Sequence, residues 1–333
     1  MAGKRRRRRL SLIRPQKLHT ALEGRQGRII RICAAVLLAV IIIAACFYFI
    51  RPRVQLEKTQ EIQAIREAGL IRIGVMDDIP GFSENGEGLE IELAELFSEY
   101  LMPDAAPGAA IKYIVVSDKT ASTKLSDGSI DAVFALMPRN SSSAFSYSYA
   151  YYTDECVVAV TEGSTEKPLN EMLIGYVQSS ASGNAFLKYV SANQTTVKRS
   201  LLDRLLKREV SLPDDAVIFS TKAFASYPDL LDALDKGLID GAAISRVYLN
   251  KYSDTYSFAI HSTEIGTIGY ALACSSDSPA IAQLADMFIY ELNESGKMDE
   301  LLIKYGLNKS FPIRAKPSHF IFYIFLSDSP IFD

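Results

Sequence analysis

The stretch LIRIGVMDDIPGFSENGEGLEIELAELFSEYL, residues 70–101, contains the pattern that decides the fold of this chain. Residues 70–75 alternate apolar with other side chains and stop at the turn-forming sequence DDIPG, which predicts a β-strand. Residues 89–101 carry an apolar residue at every fourth position, which predicts a helix with one apolar face. The stretch therefore predicts a strand followed by a helix, the repeating unit of an α/β fold.

The same alternation continues toward the C-terminus. Further strands are predicted at residues 111–116, 132–137, 173–177, 216–220 and 239–244. Helical segments lie between them, and one long final helix is predicted over residues 278–302. Because alternating strands and helices are typical of parallel sheets covered by helices, we expect an α/β fold with two open, largely parallel sheets.

The N-terminal part differs from the rest of the chain in charge and hydropathy. The net charge of −3 conceals eleven basic residues against one acidic residue in residues 1–31. Residues 32–50 contain no charge and would span about 28 Å as a helix, close to the thickness of a bilayer core. By the positive-inside rule, residues 1–31 are expected to be a basic cytoplasmic arm that contacts membrane lipids. Residues 32–50 are predicted to be a single-pass transmembrane signal anchor in the cell membrane, followed by a spacer at residues 51–67 and an extracytoplasmic domain.

Two alternatives apply to this segment. The sequence IAAC at residues 43–46 resembles a lipoprotein signal box, in which Cys46 would be lipidated. The long basic region before it and the apolar residues 47–50 after it favour an uncleaved anchor. Five consecutive arginines at residues 5–9 also fit a nucleic-acid patch, but beside an apolar segment the topological interpretation is preferred, so no nucleic-acid partner is expected.

Of the four cysteines, Cys156 and Cys274 lie in the predicted extracytoplasmic portion. Each lies in an apolar, strand-like stretch. A disulfide between them and two separate buried thiols are equally compatible with the sequence.

The sequence lacks the motifs of most enzyme classes. The histidines are His19, His261 and His319, which rules out HExxH or another closely paired metal-binding motif. There is no P-loop, no GxGxxG after a strand and no GxSxG motif. We therefore expect no cofactor, no metal and no enzymatic activity.

Several short motifs, kept in order, resemble the family 3 extracellular solute-binding proteins. They are LIRIGV at 70–75, PGFS at 80–83, GLEIELA at 88–94, LSDGSIDAV at 125–133, YSYAYY at 147–152, IGYVQ at 174–178, LDALDKGLIDGA at 231–242 and ELNESGKMDELLIKYG at 291–306. The resemblance implies a two-lobed, type II periplasmic-binding-protein-like fold that closes over a small polar solute. It implies a solute-binding domain at 68–307, with lobe one at 68–152 and 268–307, lobe two at 153–267, crossings near 152–156 and 266–270, and a tail at 308–333.

The resemblance also implies candidate ligand-binding residues at the positions that match the family's motifs. They are Phe82, Glu90, Met137, Arg139, Ser180, Ser182 and Ser245. Phe82 matches an aromatic residue that packs on the ligand, with core packing as the alternative. Arg139 lies in a loop shorter than the family's, displaced from the arginine that clamps a carboxylate. Ser180 and Ser182 lie at a helix start, where capping is the alternative to ligand contact.

Ser245 occupies the position at which amino-acid-binding relatives carry an aspartate for the ligand's ammonium group. A buried ammonium without a carboxylate partner costs several kcal/mol. Either Glu90, Asp77 or Asp78 supplies that carboxylate from lobe one, or the ligand is not a free α-amino acid; the second interpretation is preferred. The identity of the solute stays open.

The resemblance implies that the chain captures a small polar solute, an amino acid or a related compound, for the permease subunits of an ABC importer. The alternative is a ligand-sensing ectodomain that signals through a membrane sensor partner. A lobe pair that has lost its ligand, and a dehydratase on the same scaffold, are less favoured.

Overall fold

The computed structural model describes residues 32–42, 56–117, 119–139, 144–195, 213 and 216–307. The predicted arm, part of the predicted anchor (residues 43–50) and the predicted tail lie outside these ranges. Residues 32–42 are helical, and their side chains are exposed. Within the described ranges, none of the helices combines the length and the apolar character that crossing a bilayer requires.

The described residues after position 55 form alternating strands and helices. The strands are β1 (Ile71–Val75), β2 (Asp78–Ile79), β3 (Ser83–Glu84), β4 (Ile111–Val115), β5 (Ala132–Phe134), β6 (Phe145–Val160), β7 (Leu173–Val177), β8 (Ser220–Phe224), β9 (Gly241–Ser245), β10 (Ala259–Ile260) and β11 (Gly266–Ser275). The α-helices are α1 (Gln60–Ala68), α2 (Leu89–Leu101), α3 (Ala121–Ser126), α4 (Ala181–Asn193), α5 (Tyr227–Asp235), α6 (Arg246–Lys251), α7 (Pro279–Glu294) and α8 (Lys297–Lys304).

The strands form two halves that are joined by β6 and β11. In the first half β4, β1 and β5 run parallel, and in the second half β8, β7 and β9 run parallel. Between them, β11 pairs antiparallel with β5 and β6, and β6 pairs antiparallel with β9. The α/β class is therefore as expected, with two lobes connected by two long strands.

The expectation of two separate sheets is wrong. Nine strands form one continuous hydrogen-bonded sheet in the order β4-β1-β5-β11-β6-β9-β7-β8, with β10 attached to β6. The physical reason is the length of β6, 16 residues, which lets it pair within both halves. Because β6 and β11 contribute to both halves, the exact lobe boundaries stay a prediction.

Helix α2 shows why the sequence folds as it does. Its apolar face carries a large apolar residue at every fourth position, and all of these side chains are fully buried. They are Leu89, Leu93, Phe97 and Leu101. Burying a large apolar side chain stabilises the fold by about 1.5–3 kcal/mol, so this face fixes α2 against the sheet. The predicted helix has the same bounds as the observed one.

The strand predicted at residues 132–137 ends at Phe134, and two further predicted elements are wrong in their bounds. The long final helix is two helices, α7 and α8, because Gly296 between them has a φ of 79° and ends the first one. The strand predicted at residues 216–220 lies later, at Ser220–Phe224, where it pairs in parallel with β7. The apolar run at 216–219 is not a strand.

Cys156 and Cys274 are both buried free thiols, so no disulfide joins them. They lie near opposite ends of the β6–β11 ladder, since Cys156 is opposite Gly266 whereas Cys274 is opposite Ser146. Burial raises the pKa of each thiol to about 12, which makes both unreactive at neutral pH.

Candidate functional site

The crossing between the two halves is the part of the sheet where residues 152–156 of β6 face residues 266–270 of β11. We call this paired stretch the crossing segment. Side chains alternate between the two faces of a strand, so Tyr152, Asp154 and Cys156 point to the same face. Tyr270 lies opposite Tyr152 on that face.

Phe82 reaches the crossing segment from the first half. Its ring meets the ring of Tyr152 edge to face, with a centroid distance of 4.9 Å, and its side chain is only 1% exposed. The short β2–β3 hairpin positions it, and the start of α2 fixes its backbone because the N–H of Glu90 donates to the Phe82 carbonyl oxygen at 2.8 Å. The sequence-predicted aromatic residue therefore lies at the junction of the halves.

Glu90 points into the first half. Its fully buried carboxylate accepts hydrogen bonds from the backbone N–H of Leu136 at 2.7 Å, from the Tyr151 hydroxyl, and from the Ser83 hydroxyl at 3.3 Å. Burial, followed by the charge and hydrogen bond of Glu90, raises the pKa of Tyr151 well above its ordinary value. The structure thus gives Glu90 three donors from its own half.

Met137 and Arg139 join β11 through their backbones. The N–H of Ala271 donates to the Met137 carbonyl at 3.0 Å, and the N–H of Arg139 donates to the Gly269 carbonyl at 2.8 Å. The guanidinium of Arg139 lies 5.5 Å from the centre of the Tyr149 ring, a cation–π contact.

The carboxylate of Asp286, on α7, accepts a hydrogen bond from the N–H of Tyr149. Burial raises the pKa of Asp286 to about 6, and the N–H of Tyr149 and the charge of Arg139 partly offset that rise. The guanidinium of Arg139 therefore contacts the Tyr149 ring, and its charge acts on the Asp286 carboxylate.

Ser180 and Ser182 lie at the start of α4. The Ser180 hydroxyl accepts from the N–H of Gly183 at 2.9 Å and is the helix N-cap. Ser182 is fully buried; its hydroxyl lies 3.3 Å from the Tyr227 hydroxyl, and its carbonyl accepts from the Cys156 thiol at 3.5 Å. Ser180 therefore has the capping role, whereas Ser182 connects α4 to the crossing segment.

Ser245 is opposite Cys156 at the end of β9 and is the N-cap of α6. The Tyr270 hydroxyl lies 3.4 Å from the Ser245 hydroxyl oxygen and 3.5 Å from the Asp154 carboxylate. Ser245 also hydrogen-bonds to Asp154. The three side chains form a buried polar group on one face of the crossing segment.

Asp154 is a site residue that sequence reasoning missed. Its side chain is 2% exposed, and it accepts from the N–H of Glu155 at 2.8 Å and of Val247 at 3.2 Å. Burial raises the pKa of Asp154 to about 6 against the effect of these hydrogen bonds. The signal for it was an acidic residue at position i+2 from Tyr152, on the strand face that also carries Cys156 and Val158.

The candidate acids of the first half are placed differently. Asp77 and Asp78 are exposed, and Asp78 pairs with Lys251 of α6 in the second half at 2.5 Å. The ammonium of Lys251 also lies 6.0 Å from the ring centre of Tyr248, which stacks on Tyr227 at 4.4 Å. An ion pair thus connects the β2–β3 hairpin to α6, and a pair of stacked tyrosines lies beside it.

The arrangement combines aromatic faces, hydroxyl groups and one buried carboxylate from several elements. Such a set suits the binding of a small polar molecule rather than bond-making chemistry. Within the described ranges, no group of three or more His, Cys, Asp or Glu side chains is placed to hold a metal ion.

Comparison with known proteins gives one family and several similar structures. The model of the bacterial extracellular solute-binding proteins, family 3, matches residues 71–308. The chain is similar to the P235GK mutant of ArgBP from T. maritima, with 18% identity, a TM-score of 0.53 and coverage of 74% of this chain and 99% of that one.

Two further structures show the same fold. An amino acid ABC transporter substrate-binding protein from Streptococcus pneumoniae, bound to L-arginine, has 16% identity and a TM-score of 0.52 over 75% of this chain and 100% of that one. A solute receptor for L-cysteine from Neisseria gonorrhoeae has 16% identity and a TM-score of 0.54 over 73% and 92%. At these identities the similarity establishes the two-lobed fold.

Proposed function

This chain belongs to the family 3 bacterial extracellular solute-binding proteins, and on that basis we propose that it captures a small polar solute for an ABC importer. The solute is an amino acid or a related compound, held between the two lobes. The observation that carries the proposal is the convergence on the crossing segment of Phe82 from the first half and of Ser182 and Ser245 from the second. Residues from both lobes therefore meet where a solute is enclosed when the lobes close.

Binding and closure follow from this geometry. The aromatic faces of Phe82 and Tyr152 provide apolar contact, while the hydroxyls and the Asp154 carboxylate provide polar contacts. The two strands of the crossing segment connect the lobes and would act as the hinge. A solute that contacts both lobes favours the closed arrangement by the difference between its affinities for the closed and open forms.

We propose a binding role without catalysis. His261, the one histidine within the described ranges, bonds through its ring to the Lys167 carbonyl at 2.7 Å and to the N–H of Thr263 at 3.0 Å. It is therefore held by the backbone of the second half and is not part of the crossing segment. This placement supports a solute-binding protein over a dehydratase.

Isothermal titration calorimetry of the purified full-length chain tests the binding proposal. The titrants are the standard L-amino acids, short peptides and organic anions. We expect one class to bind with a dissociation constant in the micromolar range or below, and Phe82→Ala to weaken it about 10-fold or more through the lost aromatic contact. The exposed Ile303→Ala is the matched control and should bind normally. No binding by any titrant would contradict the proposal.

Uptake in cells tests the transport part. Cells that lack the protein should take up the radiolabelled solute more slowly than cells that carry it. Binding in vitro with normal uptake in the deletion strain would instead favour the sensory alternative, in which the chain signals through a membrane partner.

We further propose that residues 32–50 anchor the chain in the cell membrane, with residues 1–31 on the cytoplasmic side. The uncharged run and the eleven basic residues before it support this topology. The chain should stay with the membrane fraction after carbonate extraction, and mass spectrometry should find the N-terminal arm intact. A lipid on an N-terminal Cys46 would show the lipoprotein alternative.

A further inference from the structure

We propose that a groove in the first lobe, at the end of that lobe away from the crossing segment, binds residues 198–209 of a second copy of this chain. The contact joins the first lobe of one molecule to the second lobe of another. This inference goes beyond the proposed function and does not depend on it, because the groove lies apart from the junction of the lobes.

The groove lies between α1, the start of β1, the end of α3 and the start of α7, and its volume is about 470 Å³. Its lining includes four nearly buried apolar side chains, which are Ile65, Leu125, Ile130 and Ile281. Ala64 and Ala68 of α1 also line it and are exposed. Apolar side chains of an occupant would remove this surface from water, which favours their binding.

The position of the groove separates it from solute capture. Arg72 at the start of β1 and Asp131 just before β5 line it. Met137 and Arg139, which bond to β11, follow the other ends of these two parallel strands. An occupant of the groove therefore leaves the junction of the lobes open to a solute.

The charges around the groove are mainly negative. Arg72 is the cation that lines it, and Asp131 neutralises this arginine at 2.5 Å. Glu61 also lines it, and Asp127 and Asp277 are exposed neighbours of residues that do. Within the described ranges, none of these three carboxylates forms an ion pair. A complementary occupant is therefore both apolar and cationic.

Residues 198–209, which lie outside the described ranges, have this chemistry. Their sequence, KRSLLDRLLKRE, contains five basic and two acidic residues, a net charge of +3. Leucines at positions 201, 202, 205 and 206 fall on one face of a helix, with basic residues beside them. The pattern predicts a basic amphipathic helix whose apolar face fits the groove and whose charge fits its surroundings.

The sheet topology favours a contact between two molecules over one within a single molecule. Residues 198–209 leave and return close to the start of β8, since the N–H of Thr195 donates to the Val217 carbonyl at 2.9 Å. Strand β8 is six strand spacings from β1, about 29 Å along the sheet, and runs in the opposite direction. The groove at the start of β1 and the start of β8 therefore lie at opposite ends of the sheet.

Two measurements on the purified full-length chain in detergent test this contact. Sedimentation velocity measures self-association, and fluorescence anisotropy measures binding of a fluorescein-labelled peptide with the sequence of residues 197–210. A head-to-tail contact should raise the sedimentation coefficient with protein concentration. The contact is small, so we expect the peptide to bind with a dissociation constant on the order of 10 μM.

Charge reversal tests the specificity of the contact. Glu61→Lys/Asp277→Lys should weaken binding of the native peptide about 10-fold or more. A peptide with Arg204→Glu, Lys207→Glu and Arg208→Glu should bind this variant within about 3-fold of the native pair.

Two further variants separate charge from the apolar contact. Glu84→Lys/Glu87→Lys makes the same change of charge on the exposed β2–β3 hairpin, at the other end of the lobe, and should bind the native peptide within about 3-fold of wild type. Ala64→Phe fills the groove without changing its charge and should weaken both the peptide and the self-association about 10-fold.

The proposal fails if the peptide binds the wild-type chain with a dissociation constant above about 1 mM. It also fails if the hairpin variant loses as much affinity as the groove variant, or if self-association persists in Ala64→Phe. Circular dichroism checks folding, because Glu61 also accepts the N–H of Ala280 at the start of α7. If Glu61→Lys unfolds the chain, Ala64→Phe and Asp277→Lys alone decide the result. Solute affinity should be the same in all folded groove variants, and a wild-type chain that binds no solute would leave this inference intact.

Discussion

Glu90 illustrates how a buried carboxylate serves the fold at the level of a single residue. It joins the loop after β5, the hairpin before α2 and the strand β6 through Leu136, Ser83 and Tyr151. In Glu90→Gln, an NH2 group replaces one carboxylate oxygen. This group cannot accept a hydrogen bond, so it faces one of the three groups that donate to Glu90. Because an unsatisfied buried polar group costs about 1–3 kcal/mol, the free energy of unfolding should fall by about that amount.

The measurement is urea unfolding followed by far-UV circular dichroism. Glu92→Gln on the same helix is the matched control, since Glu92 is partly exposed and pairs with Lys304. A partly exposed pair contributes at most about 1 kcal/mol, so the control should change little. Loss of solute binding in a Glu90→Gln chain of unchanged stability would instead place Glu90 in the binding site.

Asp154 gives the chain a pH dependence opposite to that of an ion-paired carboxylate. Its pKa rises from 3.8 in the unfolded chain to about 6 in the folded chain. Between these values the folded chain retains a proton that the unfolded chain has lost, so stability decreases as the pH rises. The loss is complete above pH 6 and is on the order of 2–3 kcal/mol.

Urea unfolding of the ligand-free wild type and Asp154→Asn between pH 4.5 and 7.5 measures this effect. Because the variant lacks the titrating group, its stability relative to the wild type should increase across that range, and other groups cancel in the comparison. Parallel stability curves for the two chains would show that the Asp154 carboxyl titrates alike when folded and unfolded.

At the level of elements, the sequence predicted best where one local pattern decides the outcome. Helix α2 has the predicted bounds because an apolar residue occurs at every fourth position from its first residue to its last. The final helix was predicted as one because its apolar residues continue past Gly296, whereas the positive φ of that glycine divides it. Strand β8 was misplaced because pairing with β7, a non-local contact, determines its position.

In the candidate site, too, the residues that a local motif identifies were predicted, and the residue that depends on strand pairing was not. Motif matching named Phe82, Ser182 and Ser245, which contact the crossing segment. It did not name Asp154, because the importance of this residue depends on the alternation of β6 and on the register that brings β9 and β11 beside it. A single sequence contains the alternation but not the register.

Gly88 controls the connection between the β2–β3 hairpin and α2. Its φ is 133°, and a Cβ at this position would lie 2.3 Å from the carbonyl carbon and oxygen of Phe82. Gly88→Ala therefore combines backbone strain with a clash against rigid backbone. The expected loss of stability is about 2–5 kcal/mol, with a displaced Phe82 and weaker solute binding.

Differential scanning calorimetry measures this loss without the need for tryptophan, which the chain lacks. Gly86→Ala is the matched control, because Gly86 has a φ of 80° but its added Cβ would meet nothing within 4 Å. It should lose only the backbone strain, about 1–2 kcal/mol. Equal losses in the two variants would show that the contact with Phe82 contributes nothing.

At the level of the whole molecule, the continuous sheet connects the two lobes while leaving their relative position to a few further contacts. Two antiparallel strands can twist and bend at the crossing segment, where the β6–β11 ladder has irregular register after Tyr270. The pair of Lys251 and Asp78 connects the lobes away from this hinge. If the lobes close over a solute as proposed, we expect this ion pair to contribute to the balance between open and closed forms.

Breaking this pair should open the ligand-free chain. The Asp78 side chain is 68% exposed, so the pair contributes at most about 1 kcal/mol, which corresponds to a shift of about 5-fold in the ratio of closed to open forms. In Asp78→Asn we expect a larger radius of gyration by small-angle X-ray scattering without solute. Solute affinity should weaken by up to the same factor, because the binding-competent form is less populated.

The exchanged pair Asp78→Lys/Lys251→Asp should restore the wild-type scattering and affinity, since it keeps the attraction with the charges reversed. Asp232→Asn is the control, because it breaks an exposed pair with Lys236 within the second lobe and leaves the contact between lobes unchanged. It should alter neither measurement. If Asp78→Asn and Asp232→Asn scattered alike, the closed arrangement would depend on the buried contacts at the crossing segment, and Lys251 would have no role in closure.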